Sequence, residues 1–172
     1  MEYVVLVDEQ DKEIGTMEKL QAHEEGRLHR AISVFIFNTN GDMLLQQRAA
    51  GKYHSALLWT NACCSHPRPG ESVADAAHRR LREEMGVGSP LQEIFNFTYK
   101  AQLENNLTEH EFDHVFKGIT DKEPQPDASE VAAFRYVDME TLTHDIAANP
   151  DMYTEWFKIC IKEHVARLQP RN

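Results

Sequence analysis

Between Gly70 and Gly86 the chain carries the start and stop signals of one helix whose inward stripe does not stay apolar, and this constrains the fold more than any other stretch. Ser72 is a good N-cap behind Gly70-Glu71, and Gly86 is a good C-terminal stop, so the pattern predicts a helix from Ser72 to Met85. Val73, Ala77 and Leu81 recur at spacings of four and put one side against a core; the same stripe runs on to Arg80 and Glu84. Charged groups on an inward stripe are costly unless paired or bound to a cation, so this face is expected to look onto a polar site. The simpler alternative is an intrahelical Arg80 to Glu84 ion pair on a rim. Arg79 and Glu83, also four apart, read as a solvated face.

Around this helix the pattern predicts strands at Tyr3 to Val7, Ser33 to Phe37, Met43 to Gln47, Ile94 to Ala101 and Ala133 to Val137, with a hairpin turn at Asn38-Thr39-Asn40-Gly41. Two further helices are expected at Asp138 to Ala148 and Met152 to Leu168. Strands interspersed with helices imply an α/β (α+β mixed) fold, a mixed sheet sandwiched between helices. With 172 residues and no internal repeat or long linker, residues 1–172 are expected to form one domain.

Composition excludes several classes of function. A formal charge of −10 opposes an extended nucleic-acid surface, and no apolar run approaches the ~20 residues that a bilayer span needs, so neither nucleic acid nor membrane is an expected partner. The adjacent Cys63 and Cys64 and the distant Cys160 do not make a disulfide framework. Met1 to Val7, followed by Asp8, Glu9 and Asp11, lacks the basic start of a secretory signal, and a cytoplasmic location is expected.

The run Gly70-Glu71, Arg79-Arg80-Leu81, Glu83-Glu84, Gly86-Val87 resembles the Nudix box, a loop-helix-loop that presents glutamates to a magnesium-bound diphosphate. Two positions depart from that pattern: Ser65 stands where the first glycine belongs, and Arg80 stands where a glutamate follows the arginine. Trp59-Thr60-Asn61-Ala62-Cys63-Cys64-Ser65-His66-Pro67 resembles the active-site motif of the type I isopentenyl-diphosphate isomerases. The resemblance extends along the chain through Glu18-Lys19, Ala22-His23, Leu28-His29, Arg48-Ala49-Ala50-Gly51-Lys52, Tyr99, Glu109-His110-Glu111 and Trp156.

That resemblance implies a Nudix-like isomerase acting on a small prenyl diphosphate, with no protein partner required. It makes Cys64, Glu111 and Tyr99 catalytic, with Glu111 at the metal or Tyr99 beside it delivering one proton and Cys64 taking the other. His23, His29, His66, Glu109 and Glu111 would hold a tight divalent ion; three imidazoles with two carboxylates suit manganese or zinc, with magnesium as a further alternative. A separate magnesium would bridge Glu84 to the diphosphate. Lys19, Arg48, Lys52 and Arg80 would meet its charge, which is how an acidic protein can bind an acidic substrate. Trp156 would line the prenyl pocket and offer its π face to a cation. Cys63 reads as a buried small residue, and His54, His78, His144 and His164 as surface or hydrogen-bonded core histidines.

Three rival readings remain. His110-Glu111-Phe112-Asp113-His114 fits H-E-x-x-H, which needs a helix to bring both histidines to one face; Thr108 with Glu111 as a capping box and Gly118 as a stop are compatible with one. It leaves the Trp59 to Pro67 motif and the basic pair unexplained. A Nudix hydrolase would share the helix and the basic residues, but Arg80 takes the place of an acid. A non-catalytic module on the same fold is the third.

Overall fold

In the computed structural model, residues 1–168 are described, so the last four positions of the expected domain lie outside the described residues. The elements run β1 (Tyr3–Val7), β2 (Glu13–Glu18), α1 (Lys19–Glu25), β3 (His29–Phe37), β4 (Met43–Arg48), β5 (Trp59–Thr60), β6 (Cys63–Ser65), α2 (Val73–Met85), β7 (Gln92–Gln102), β8 (Thr108–Ile119), β9 (Val131–Val137), α3 (Met139–Ala148), a 3-10 turn (Pro150–Met152) and α4 (Glu155–Leu168).

The organising strand is β3. Along one edge it pairs in parallel with β8 from His29 opposite Glu111 to Phe37 opposite Ile119. Along its other edge β1, β6 and β4 follow one another, at Leu6 with His29, at Ile32 to Val34 with Ser65 to Cys63, and at Phe37 with Met43. Beyond β8 lies antiparallel β7, and beyond β4 lies antiparallel β9.

Alternation along β3 sends its side chains to two cores. Ile32, Val34 and Ile36 join Ala76, Ala77, Leu81 and Met85 of α2 in one cluster. Phe35 and Phe37 join Leu142 of α3 and Trp156, Phe157 and Ile161 of α4 in the other. The expected sandwich of a mixed sheet between helices is the observed one. Ser72 caps α2 by accepting from the Asp75 amide, and Gly86 ends it at φ 61. A side chain at Gly86 would run into the Gln125 carbonyl as well as strain the backbone.

Five differences from the sequence reading have physical causes. β3 begins at His29 rather than Ser33, because β8 pairs with it over that whole length and Asp11 accepts from Arg30 (2.7 Å). β2 escapes prediction because, at a sheet edge, none of it is buried and no apolar alternation marks it; α1, at seven residues, is too short to show a period. The fourth helix starts at Glu155 rather than Met152, since Pro150 opens a separate 3-10 turn. The possible helix around His110 is a strand, and pairing on both edges outweighs the local capping signals. His110 and His114 therefore lie on the face opposite Glu111, His110 bonded to the Gly26 carbonyl and His114 between Glu93 and Asp11, which removes the metalloprotease geometry.

Candidate active site

α1, the start of β3, the end of β6 and the first half of β8 converge on one polar pocket. His23 lies one turn after Lys19 on α1, and its Nδ1–H donates to the Lys19 carbonyl (2.7 Å). His29 opens β3, and its Nδ1–H donates to the Arg27 carbonyl (2.8 Å). A carbonyl only accepts, so both rings carry their proton on Nδ1 and keep the Nε2 lone pair, as metal-ligating histidines do.

Those lone pairs face inward. His23 Nε2 is buried without a hydrogen-bond partner. His29 Nε2 stands 3.2 Å from His66 Nε2, and these two lie 3.5 and 3.0 Å from Glu111 Oε1. Imidazole lone pairs and a carboxylate turned into one dry space repel each other unless a cation or a proton sits among them. The ligand atoms of His23, His29, His66 and Glu111 all fall within 4.8 Å of one another, and this nitrogen-rich donor set fits a divalent transition ion. Glu109 falls in an overlapping group with His23 and His54.

Glu111 is positioned by the sheet. It is the cross-strand neighbour of His29 on one side and of Tyr99 on the other. The Tyr99 hydroxyl lies 2.6 Å from Glu111 Oε2 and 3.2 Å from Glu109 Oε2. Burial and the charge of Glu111 drive the Glu109 carboxyl well above its ordinary range. Burial also acts against Glu111, yet a proton on the facing Nε2 of His29 and His66, in the place a cation would otherwise take, holds it well below that range. His23 is pushed down to about 4 by burial and by His66 and His29, so it is neutral near pH 7.

The thiol stands on the next strand. Cys63 packs towards α2, while Cys64 faces the α4 side. Asn61 Nδ2 donates to the carbonyls of Val34 (3.0 Å) and Cys63 (2.9 Å), which forces its Oδ1 to accept. That oxygen receives the Thr60 hydroxyl (2.9 Å) and the Cys64 S–H (2.9 Å). Trp156 Nε1–H donates to the same sulfur at 3.0 Å. Ser33 Oγ lies 3.4 Å from it and donates to buried Asp113 at 2.7 Å. Burial, then the charge of Asp113, push the thiol well above its ordinary value, so it is neutral in this state.

Lys19, Arg48, Lys52 and Arg80 line the same cavity as Cys64, Glu111 and Trp156. It holds about 100 Å³, which is small beside ligand pockets of ~300 to 1,000 Å³, because the cations are engaged across it. Lys19 pairs with Glu2, and Lys52 with Glu130. Arg80 contacts Glu83 (2.7 Å), Glu84 (2.5 Å) and Glu130 (3.5 Å). Arg48 donates to the carbonyls of Ser55 (3.2 Å) and His54 (3.1 Å), with its guanidinium 5.2 Å from the Trp156 ring. The two readings of Arg80 and Glu84 thus coexist: they form the intrahelical pair, and both face the cavity. Glu84 is 4% exposed and accepts from Gln46 (2.8 Å). Arg79 departs from the solvated-face expectation, since Glu71 grips it through two 2.7 Å bonds and ties the preceding loop to α2.

Comparisons with known proteins show the family. Residues 27–157 match the NUDIX domain. The isopentenyl-diphosphate Delta-isomerase of Pectobacterium atrosepticum is 52% identical over 156 residues, 91% of this chain and 87% of that protein. Isopentenyl-diphosphate Delta-isomerase 1 of Aromatoleum aromaticum is 52% identical over 163 residues, 95% of this chain and 92% of its own length. This chain belongs to the isopentenyl-diphosphate Delta-isomerase family. Among solved structures, DR0079 from Deinococcus radiodurans superposes with a TM-score of 0.77 over 95% of this chain and 99% of that one at 19% identity, a likeness of fold alone.

Within this isomerase-family chain, every residue singled out for the site from the sequence lies at or beside the one pocket. The sequence reading missed His54, which is buried and whose ring lies 6.0 Å from that of His23 and 5.9 Å from that of Trp156. It also missed Asn61, Ser33, Asp113 and Glu130. Asn61 sat inside the quoted motif and was legible there as a polar residue beside the thiol; the others reach the site through register and carry no local signal. His164 is half-buried against Phe95 and Phe97, and its Nε2 has no hydrogen-bond partner there.

Proposed function

We propose that this chain interconverts isopentenyl and dimethylallyl diphosphate by adding a proton at one carbon of the allylic unit and removing one from another, with Cys64 and Glu111 as the two proton-transfer groups. The observation that carries the assignment of residues is the presence, in one cavity, of an S–H oriented by Asn61 and Trp156 and a carboxylate bonded to Tyr99, beside a cluster of cations. The two directions of reaction start from the same number of protons and differ only in which group holds one of them. A thiol with an ionised Glu111 gives from sulfur and takes at carboxylate; the reverse needs that proton on the carboxylate and a thiolate opposite. Each positioned group contributes typically 10² to 10⁴ in rate.

Lys19, Arg48, Lys52 and Arg80 would hold the diphosphate, exchanging their present carboxylate and carbonyl partners for phosphate oxygens. Glu84 would share a magnesium ion with it. His23, His29, His66, Glu109 and Glu111 would hold the tight ion, manganese or zinc before magnesium on donor chemistry, which supplies a fixed positive charge beside Glu111. Trp156 presents its indole N–H to sulfur and its ring to the cavity, where a π face stabilises a cation by ~0.5 to 2 kcal/mol. Three free cysteines suit a reducing cytoplasm. Among the described residues no helix is long and apolar enough to cross a membrane.

The test is incubation of metal-loaded protein with isopentenyl diphosphate and magnesium in deuterated water, followed by NMR with inorganic phosphate assayed in parallel. Deuterium-containing dimethylallyl diphosphate without phosphate release is expected. Phosphate release without isomer would instead mark a hydrolase.

A further inference from the structure

We infer that His54 is an additional ligand of the ion held by His23, approaching it from the side of Glu109. This rests on the tight-ion site proposed above and enlarges it.

The argument starts from one nitrogen. His23 Nδ1 is committed to the Lys19 carbonyl, so Nε2 is the only atom His23 can offer to an ion, and it is buried without a partner. His23 nevertheless belongs to two groups of potential ligands, one with His29, His66 and Glu111, the other with His54 and Glu109, each within 4.8 Å. A single imidazole lone pair binds one ion. An ion on that lone pair is therefore within reach of both groups, and His54 would join it from the side of Glu109.

The chain around His54 is built to hold the ring inward. Ser55 and Leu57 take left-handed backbone angles (φ 50 and 60) that residues with a Cβ rarely adopt, and strain of that kind concentrates where function needs it. Arg48 pins the carbonyls of His54 and Ser55, and Glu104 accepts from the Ser55 amide. Ser55 Oγ, 3.2 Å from His54 Nδ1, engages that side of the ring and leaves Nε2 for an ion. Imidazole geometry set from the far nitrogen in this way is the usual support of a metal ligand. Four imidazoles and two carboxylates fill six positions, so the ion is held by side chains alone, and the set favours zinc, cobalt or manganese over magnesium.

Cobalt(II) titration of the metal-stripped full chain tests this, with affinity from competition against a chelator and coordination number from visible absorbance, which rises as six ligands fall to five. Wild type is expected to bind one tight Co²⁺. His54→Ala should weaken its affinity at least ~tenfold and raise its absorbance, while His144→Ala, an exposed histidine, changes neither. His54→Gln keeps a ring-sized polar side chain and serves if the alanine variant does not fold; it too should lose affinity. Unchanged affinity and spectrum in His54→Gln, with binding lost in His23→Ala, would overturn the role of His54 alone. Two tight Co²⁺ per chain would overturn the shared sphere. Unchanged affinity in His23→Ala would bring down the ion site itself and this inference with it.

Discussion

Removing the metal proposed for the His23 cluster should lower the melting temperature by an amount that follows from its occupancy. In the metal-free fold the lone pairs of His23, His29 and His66 meet Glu111 in a space where His23 and His29 are 0% exposed and Glu111 is 6% exposed. The unfolded chain cannot assemble these donors, so an ion binding them acts almost wholly on the folded state. At free metal 100-fold above its dissociation constant, one site adds about 2.7 kcal/mol. For a chain of this size about 2 to 4 °C accompanies each kcal/mol, so the midpoint should rise by roughly 5 to 11 °C. Differential scanning calorimetry of stripped and Zn²⁺- or Mn²⁺-loaded protein reads the shift directly. A midpoint that ignores metal, or a His23→Ala variant that keeps the full shift, would refute the reasoning.

Cys64→Ala should fold and bind inorganic pyrophosphate as wild type does, and lose ~10² to 10⁴ in turnover; wild-type turnover would remove the thiol from the mechanism. Glu84→Gln should weaken magnesium-dependent diphosphate binding, read as a raised KM, because it takes a charge from the cavity and disturbs the bond that holds Arg80. Leu81→Ala, in the core between α2 and the sheet, should cost about 2 to 5 kcal/mol in urea unfolding, leaving KM unchanged in the folded fraction. Stability of the metal-free protein should fall as pH drops from about 6.5 to about 4. Burial holds folded His23 near 4, so over that window the unfolded chain binds the extra proton, and acid favours unfolding. Urea midpoints at pH 7.5 and 4.5 check the sign.

The parts of the fold that sequence conveyed are those whose signals are local. The capped ends and apolar stripe of α2 lie within one helix, and its boundaries came out within a residue. β8 was the reverse case. Its hairpin partner β7 is close in sequence, but its parallel partner β3, with His29 opposite Glu111, is far upstream, and its local composition also allowed a capped helix. Only pairing with β3 and β7 decides it, and that pairing then decides which histidines can be ligands. For the site, resemblance carried the residues that repeat a family motif, whereas His54 and Asp113 depend on a strained loop and on strand register. Neither leaves a periodic trace.

The structure also explains why a helix of this pattern can serve a different chemistry when Arg80 stands where an acid is expected. Its guanidinium lies between Glu84 and Glu130, 2.5 and 3.5 Å from their oxygens, so a covalently attached cation occupies space that paired carboxylates would otherwise offer to a metal. Glu84 is left as the buried carboxylate that α2 presents to the cavity, enough to share an ion with a diphosphate but not to build a cluster for activating water. The nitrogen donors come instead from α1, β3 and the end of β6, and they surround Glu111 rather than the phosphate side. On the reading proposed above, the tight ion would thereby be separated from the helix proposed to bind the anion and placed beside the carboxylate proposed to move the proton, which is what a proton-transfer reaction on an intact diphosphate requires.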